Sequence, residues 1–279
     1  MARRSKRMLA QKVGSGLARG FFVDGTLRPI IRHYVHPKVS GLENLSGQTP
    51  PLILAANHCS HMDTPLILNS LPRDLRHRTL VAAASDYFFA SRLLGTFVSV
   101  AVGAVPLDRQ VASKQNLDTI ERLLQQNWCL VVYPEGSRSP DGRLYRGRTG
   151  VARLALTTGV PVIPVGITGT YSAMPAGRSW PIAGHVEVHF GKPLTFDRYQ
   201  LNSAHRIALR AITDEIMYQV MSLGGLTYVD EYASDVKARN KAAAAKPSGP
   251  ARDDAGPEDD KRVSRKRLRL RRSARTERA

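Results

Sequence analysis

The sequence predicts an α/β fold: a mixed, largely parallel sheet flanked by helices. Two observations carry this. From about residue 41 to 226, short apolar runs alternate with stretches of helical period, the arrangement that builds parallel sheets from strand–helix–strand units. The chain also has 42% hydrophobic residues, enough for a sizeable core in 279 residues. A third observation sets the limits of the domain: charge is unevenly placed, with 41 Lys and Arg against 23 Asp and Glu, and ten of the basic residues fall in positions 261–279.

Residues 1–40 are basic, with Leu17, Phe21, Phe22, Leu27, Ile30, Ile31, Tyr34 and Val35 scattered among them. Gly20, Gly25 and Pro29 interrupt what is otherwise an irregular amphipathic helical pattern. Such a segment can lie in a membrane interface or pack on its own domain. It lacks the apolar run and cleavage site of a signal peptide. No stretch reaches the ~18 uninterrupted apolar residues of a transmembrane helix.

The strands expected within residues 41–226 are "PLILAAN" (51–57), "TLVAAAS" (79–85), "GAVPLDR" (103–109), "CLVVYPE" (129–135), "VPVIPVGI" (160–167) and "HVEVHFG" (185–191), the last of them a candidate for antiparallel pairing. "SKQNLDTIERLLQQN" (113–127) places Leu117, Ile120, Leu123 and Leu124 on one helical face. "DTPLILNSL" opens a helix with Asp63 as N-cap and Pro65 in the first turn, and residues 202–223 form a closing helix. Residues 227–279 read as an Ala/Pro/Gly/acid-rich linker followed by a disordered basic tail, which has too little apolar area to order itself.

Chemistry concentrates in "NHCSHMD", residues 57–63. His58, Cys59, His61 and Asp63 could be imagined around a metal, but adjacent residues rarely converge on one centre and no second cluster with zinc spacing follows. Ser60 as a nucleophile would need a G-x-S-x-G elbow, which is missing. A third reading pairs His58, in the loop after a strand, with Asp63 at a helix mouth. The carboxylate would fix the imidazole tautomer and leave the other ring nitrogen as a base. Two cysteines, Cys59 and Cys129, make no disulfide framework and suit unpaired thiols in a reducing, cytoplasmic compartment.

Three later blocks accompany the first. "GAVPLDR" ends in Arg109, "VVYPEGSRS" carries Glu135, Gly136, Ser137 and Arg138, and "GVPVIPVGI" carries Pro164. With N-H-x-x-x-x-D, these four ordered blocks resemble the glycerolipid acyltransferases, whose best-known members are the 1-acylglycerol-3-phosphate (lysophosphatidate) acyltransferases. The blocks span residues 57–170. Departures are Tyr133 for the usual Phe, Ser137 for the commoner Thr, and Arg146 and Arg148 where lysines are frequent.

The resemblance implies acyl transfer from a thioester, acyl-CoA or acyl carrier protein, to a lysophospholipid hydroxyl, with lysophosphatidate the default acceptor. No cofactor beyond that co-substrate and no metal are implied. It makes His58 the base and Asp63 its orienter, with Cys59 and Ser60 as bystanders. Arg109 and Arg138 would bind the phosphate, and Glu135, Gly136, Ser137 and Pro164 would shape the substrate pocket. The oxyanion would be met by backbone N–H groups around Gly136, and "SDYFFASRLLGTF" (85–97) would wall an acyl tunnel or touch membrane. His61 is read as a loop histidine. A membrane surface with anionic lipids is the expected partner, met peripherally from the cytoplasm by the basic ends. The competing reading is a non-catalytic protein that binds anionic lipid or nucleic acid, to which a basic tail is attracted without regard to sequence. The tail lacks the interleaved aromatics of a single-strand stacking surface.

Overall fold

The computed structural model describes residues 24–25, 28–29, 31, 35–84, 103–107, 114–175, 182, 184–199 and 206–245. In chain order the elements are β1 (Lys38–Ser40), β2 (Ile53–Ala56), α1 (Asp63–Ser70), α2 (Arg73–His77), β3 (Thr79–Ala84), β4 (Ala104–Leu107), α3 (Lys114–Gln125) and β5 (Cys129–Val132). They continue with β6 (Leu144–Tyr145), α4 (Gly150–Thr158), β7 (Val162–Thr168), α5 (Thr170–Ala173), β8 (Glu187–Phe190), α6 (Arg206–Gly224), β9 (Tyr228–Val229) and α7 (Ala233–Ala245). By contacts the chain divides into two units, Met1–Ala238 and Arg239–Ala279. Of the second, the described residues 239–245 are helical.

A seven-stranded sheet runs in the order β1-β8-β7-β2-β5-β3-β4. Strands β7, β2, β5, β3 and β4 are mutually parallel, while β8 runs antiparallel to β7 and parallel to β1. The mixed, largely parallel sheet expected from the sequence is therefore the one found, including the antiparallel pairing of its late strand. β2 is central and buried at all four positions, which explains its unbroken apolar run: helices cover both faces of a parallel sheet, so neither face needs polar residues.

Alternation along β2 feeds two core layers. Leu54 and Ala56 face a layer with Leu66, Ile67 and Leu68 of α1 and Val165 and Ile167 of β7. Ile53 and Ala55 face the opposite layer, with Ile120 and Leu124 of α3, Leu154 of α4, and Ile212 and Ile216 of α6. The four apolar residues predicted on one face of α3 are all buried there. Burying each such side chain contributes about 1.5–3 kcal/mol.

The structure departs from the sequence reading after residue 226. Instead of a linker, β9 pairs with β6 in a separate two-stranded ribbon, and Ala233 to Ala245 form a helix. Alanine is the strongest helix former, and "KAAAA" (241–245) carries that helix to Ala245. The N-terminal segment before Asp24, the stretch 85–97 and the tail beyond 245 lie outside the described residues. Among the described residues, no helix is long and apolar enough to cross a membrane.

Candidate active site

Ligands of open α/β sheets gather at the carboxyl ends of the strands, and "NHCSHMD" leaves the carboxyl end of β2. Asn57 fixes that exit. Its side-chain amide donates to the Ile167 carbonyl (2.8 Å) and its carbonyl accepts from the Ile167 N–H (2.8 Å). This two-point bracket ties the loop to β7. His58 then turns out of the sheet, and its Nδ1 lies 2.8 Å from Asp63 Oδ2. The imidazole side chain is 20% exposed and the carboxylate fully buried.

Asp63 is not the N-cap expected of it. It is the first residue of α1, after a turn in which its own N–H reaches Ser60 O and the Leu66 N–H donates to Met62 O. Its carboxylate points back into the loop rather than forward along the helix. Oδ2 accepts from the N–H of Cys59 (2.7 Å) and of Ser60 (2.8 Å) as well as from the imidazole. Two amides and the imidazole thus converge on one carboxylate oxygen. With Asp63 as acceptor, Nδ1 carries the proton and Nε2 is left as the basic nitrogen.

Glu135 holds the loop from the other side. It follows β5, the strand beside β2, and is 1% exposed. Oε1 accepts from the His58 N–H (2.8 Å) and Oε2 from the Tyr145 N–H (2.9 Å). Burial pushes its carboxyl up to about 8, against the downward pull of those two amides and of Lys237. Both Glu135 oxygens are thereby bonded to backbone amides, an arrangement that holds the His58 loop in place. The His58 carbonyl accepts a further bond from the Ser139 N–H (2.6 Å). Tyr133 stacks on the imidazole at a centroid distance of 4.0 Å and an interplanar angle of 16°, with its hydroxyl 2.6 Å from Thr64 Oγ1.

The remaining expectations divide. Ser137 and Arg138 are half-buried in the same loop; Ser137 Oγ is buried without a hydrogen-bond partner among the described residues. Gly136 sits at φ +72°, and a Cβ there would come within 3.1 Å of the Arg148 side chain. Its N–H donates to Tyr133 O (2.9 Å). Pro164 is buried within β7, opposite Ala55 and short of the strand's carboxyl end. Arg109 lies outside the described residues.

Cys59 and Ser60 are structural. Burial, helped by the Asp63 charge, pushes the Cys59 thiol up to about 12, and Ser60 Oγ donates to Met174 O (2.9 Å). The His61 imidazole is pulled down to about 4, first by burial and then by the charges of Arg138 and His58. Among the described residues, no group of three or more His, Cys, Asp and Glu could hold a metal ion.

Sequence reasoning missed the Asn57 bracket, the Tyr133 stack and the Ser139 tether. Asn57 and Tyr133 sat inside quoted blocks, and a buried-type strand ending in Asn was the signal for the first. Because stacking needs only the ring, Tyr133→Phe is expected to change kcat in the reaction proposed below by less than about threefold. Loss of the Thr64 hydrogen bond should lower unfolding free energy by about 1 kcal/mol. Denaturant unfolding and steady-state rates on the same preparation check both.

Comparison with known proteins gives three findings. Residues 36–168 match the family model described as Acyltransferase. The chloroplastic 1-acyl-sn-glycerol-3-phosphate acyltransferases of Brassica napus and Arabidopsis thaliana are each 32% identical, over 167 and 160 residues; both alignments take in 56% of this chain. The chain spans less than half the length of those relatives, 44% and 43%. The crystal structure of the 1-acyl-sn-glycerophosphate acyltransferase PlsC from Thermotoga maritima shares the fold at a TM-score of 0.53 and 22% identity, covering 80% of this chain and 98% of that one.

Proposed function

We propose, from the match of residues 36–168 to the family model described as Acyltransferase, that the chain transfers a fatty acyl group from a thioester to the free hydroxyl of lysophosphatidate, giving phosphatidate. The observation that carries this reading is the His58–Asp63 pair at the mouth of the central strand, with one ring nitrogen held and the other left to work. In the proposed reaction the acceptor hydroxyl gives its proton to His58 Nε2 as its oxygen attacks the thioester carbonyl. Asp63 stabilises the imidazolium that forms. The tetrahedral intermediate collapses, the carbon–sulfur bond breaks, and the imidazolium returns the proton to the departing thiolate.

No acyl-enzyme is needed, which agrees with the Cys59 thiol being buried and far from ionisation. Arg138, with Arg109, would hold the phosphate, since guanidinium suits phosphate oxygens. Acyl-CoA and acyl carrier protein would serve equally well as donors at this chemistry. Because both lipids partition into bilayers, the enzyme would work at a membrane face, drawn to anionic headgroups by the basic residues 1–40 and 261–279.

Purified protein incubated with vesicles containing lysophosphatidate and a long-chain acyl-CoA is expected to form phosphatidate, read by mass spectrometry. Vesicle binding without product from any lyso-acceptor, with either donor type, would replace this reading with that of a lipid-binding protein.

A further inference from the structure

The loop from Glu135 to Arg148 is braced by a segment that lies beyond the family-matched residues. The Leu144 N–H donates to Thr227 O (2.9 Å) and the Arg146 N–H to Glu231 O (3.0 Å), framing the β6–β9 ribbon. Tyr232 lies under both the Arg146 and Arg148 guanidinium groups, at 5.6 and 4.8 Å. Arg146 also reaches Asp230 at 3.5 Å, and Arg148 donates to Ser234 Oγ (2.9 Å). Planar guanidinium groups stack on an aromatic ring better than ammonium groups do. Arginine therefore suits both positions.

The segment ends by delivering Lys237, whose Nζ donates to the Arg138 carbonyl. Two cations, both half-buried, are thereby brought into one neighbourhood. Burial and the Arg138 charge together lower the Lys237 ammonium from its usual range. Among the described residues no carboxylate is paired with the Arg138 guanidinium. Glu135, the acid that acts on Lys237, has both oxygens committed to backbone amides. Asp235 is turned to the Ser234 hydroxyl at 2.8 Å. The Ser137 hydroxyl in the same loop is buried and without a partner among the described residues. Two neighbouring cations and a hydroxyl without a protein partner among the described residues are the chemistry that receives an anion.

We propose that Lys237 is a further substrate-binding residue, which with Arg138 and the Ser137 hydroxyl clasps the phosphomonoester of the acceptor. The proposal rests on the reaction given above and deepens it. Two positive charges match a dianionic phosphomonoester and exceed what a phosphodiester headgroup can neutralise, so the segment from 227 to 237 becomes a specificity element for lysophosphatidate over diester lysolipids.

The test measures binding and turnover separately, on the full chain. In phosphorus NMR titrations with glycerol 3-phosphate, Lys237→Met should weaken binding about tenfold, the effect of removing one charge-assisted hydrogen bond. Lys237→Arg should restore most of it, and glycerophosphocholine binding should not respond to either change. In the vesicle assay the same loss should appear as a raised KM for lysophosphatidate at nearly constant kcat. Unchanged glycerol 3-phosphate affinity in Lys237→Met overturns the proposal. So does an equal loss in both variants at wild-type melting temperature, since the segment's packing and not its charge would then be responsible. Absence of acyl transfer by the wild type, with the binding pattern intact, would remove the reaction and leave the anion site standing.

Discussion

His58→Ala is expected to reduce kcat for acyl transfer by about 10²–10⁴-fold, the span over which a positioned general base acts. Folding and vesicle binding should be nearly untouched. The imidazole is one of three donors to Asp63 Oδ2, and the amides of Cys59 and Ser60 remain after its removal. The buried carboxylate therefore keeps two partners, and the loss in unfolding free energy should stay within about 1–2 kcal/mol. The decisive measurement is single-turnover transfer on vesicles alongside sedimentation of the same vesicles. A kcat loss of less than tenfold would remove His58 as the base, and parallel loss of vesicle binding would mark it as a lipid contact. Asp63→Asn is expected to give a comparable rate loss, because an amide in that position can present an N–H to Nδ1 and favour the wrong tautomer.

Glu135→Ala carries the largest expected effect on stability. It strips the acceptor from two backbone N–H groups, His58 and Tyr145, in an interior site that is 1% exposed at Glu135. Each orphaned amide costs about 1–3 kcal/mol, so unfolding free energy should fall by about 2–6 kcal/mol. Glu135→Gln keeps one carbonyl oxygen for one of the two amides and should lose about half as much. Activity should fall in both variants even where they remain folded, since His58 would lose one of its backbone tethers. Urea unfolding of the three proteins decides the matter. A change below about 1 kcal/mol in Glu135→Ala would show that the amides find other partners, and would return Glu135 to the substrate contacts expected from sequence.

How far the sequence could be read depended on the range of the interactions involved. β2 and α3 were legible because their signals are local: an unbroken apolar run for a strand covered on both faces, and a 3.6-residue stripe for a helix covered on one. The His58–Asp63 pair was legible because both partners lie within seven residues and their spacing admits contact once a loop separates them. Glu135 was visible as a residue, but its role was not. A carboxylate that caps two amides and one that binds substrate look the same in one dimension. The β6–β9 ribbon is two residues long on each side and paired across more than eighty positions, too short to leave a periodic trace. Lys237 lies 99 positions from Arg138, in a stretch whose composition pointed to a linker.

The Asn57 bracket on Ile167 has a consequence for how the protein can fail. Side-chain periodicity in a sheet is two, so sliding β2 by one residue against β7 would exchange the Ile53/Ala55 face with the Leu54/Ala56 face and turn both core layers inside out. Because Asn57 extends the same ladder through its side chain, that slip would also break both amide bonds to Ile167. The exit of the strand that carries His58 is thus locked to a discrete alignment and has no continuum of half-formed states. Lesions in the central strands should therefore act as a switch on the number of competent molecules, each survivor turning over at its full speed.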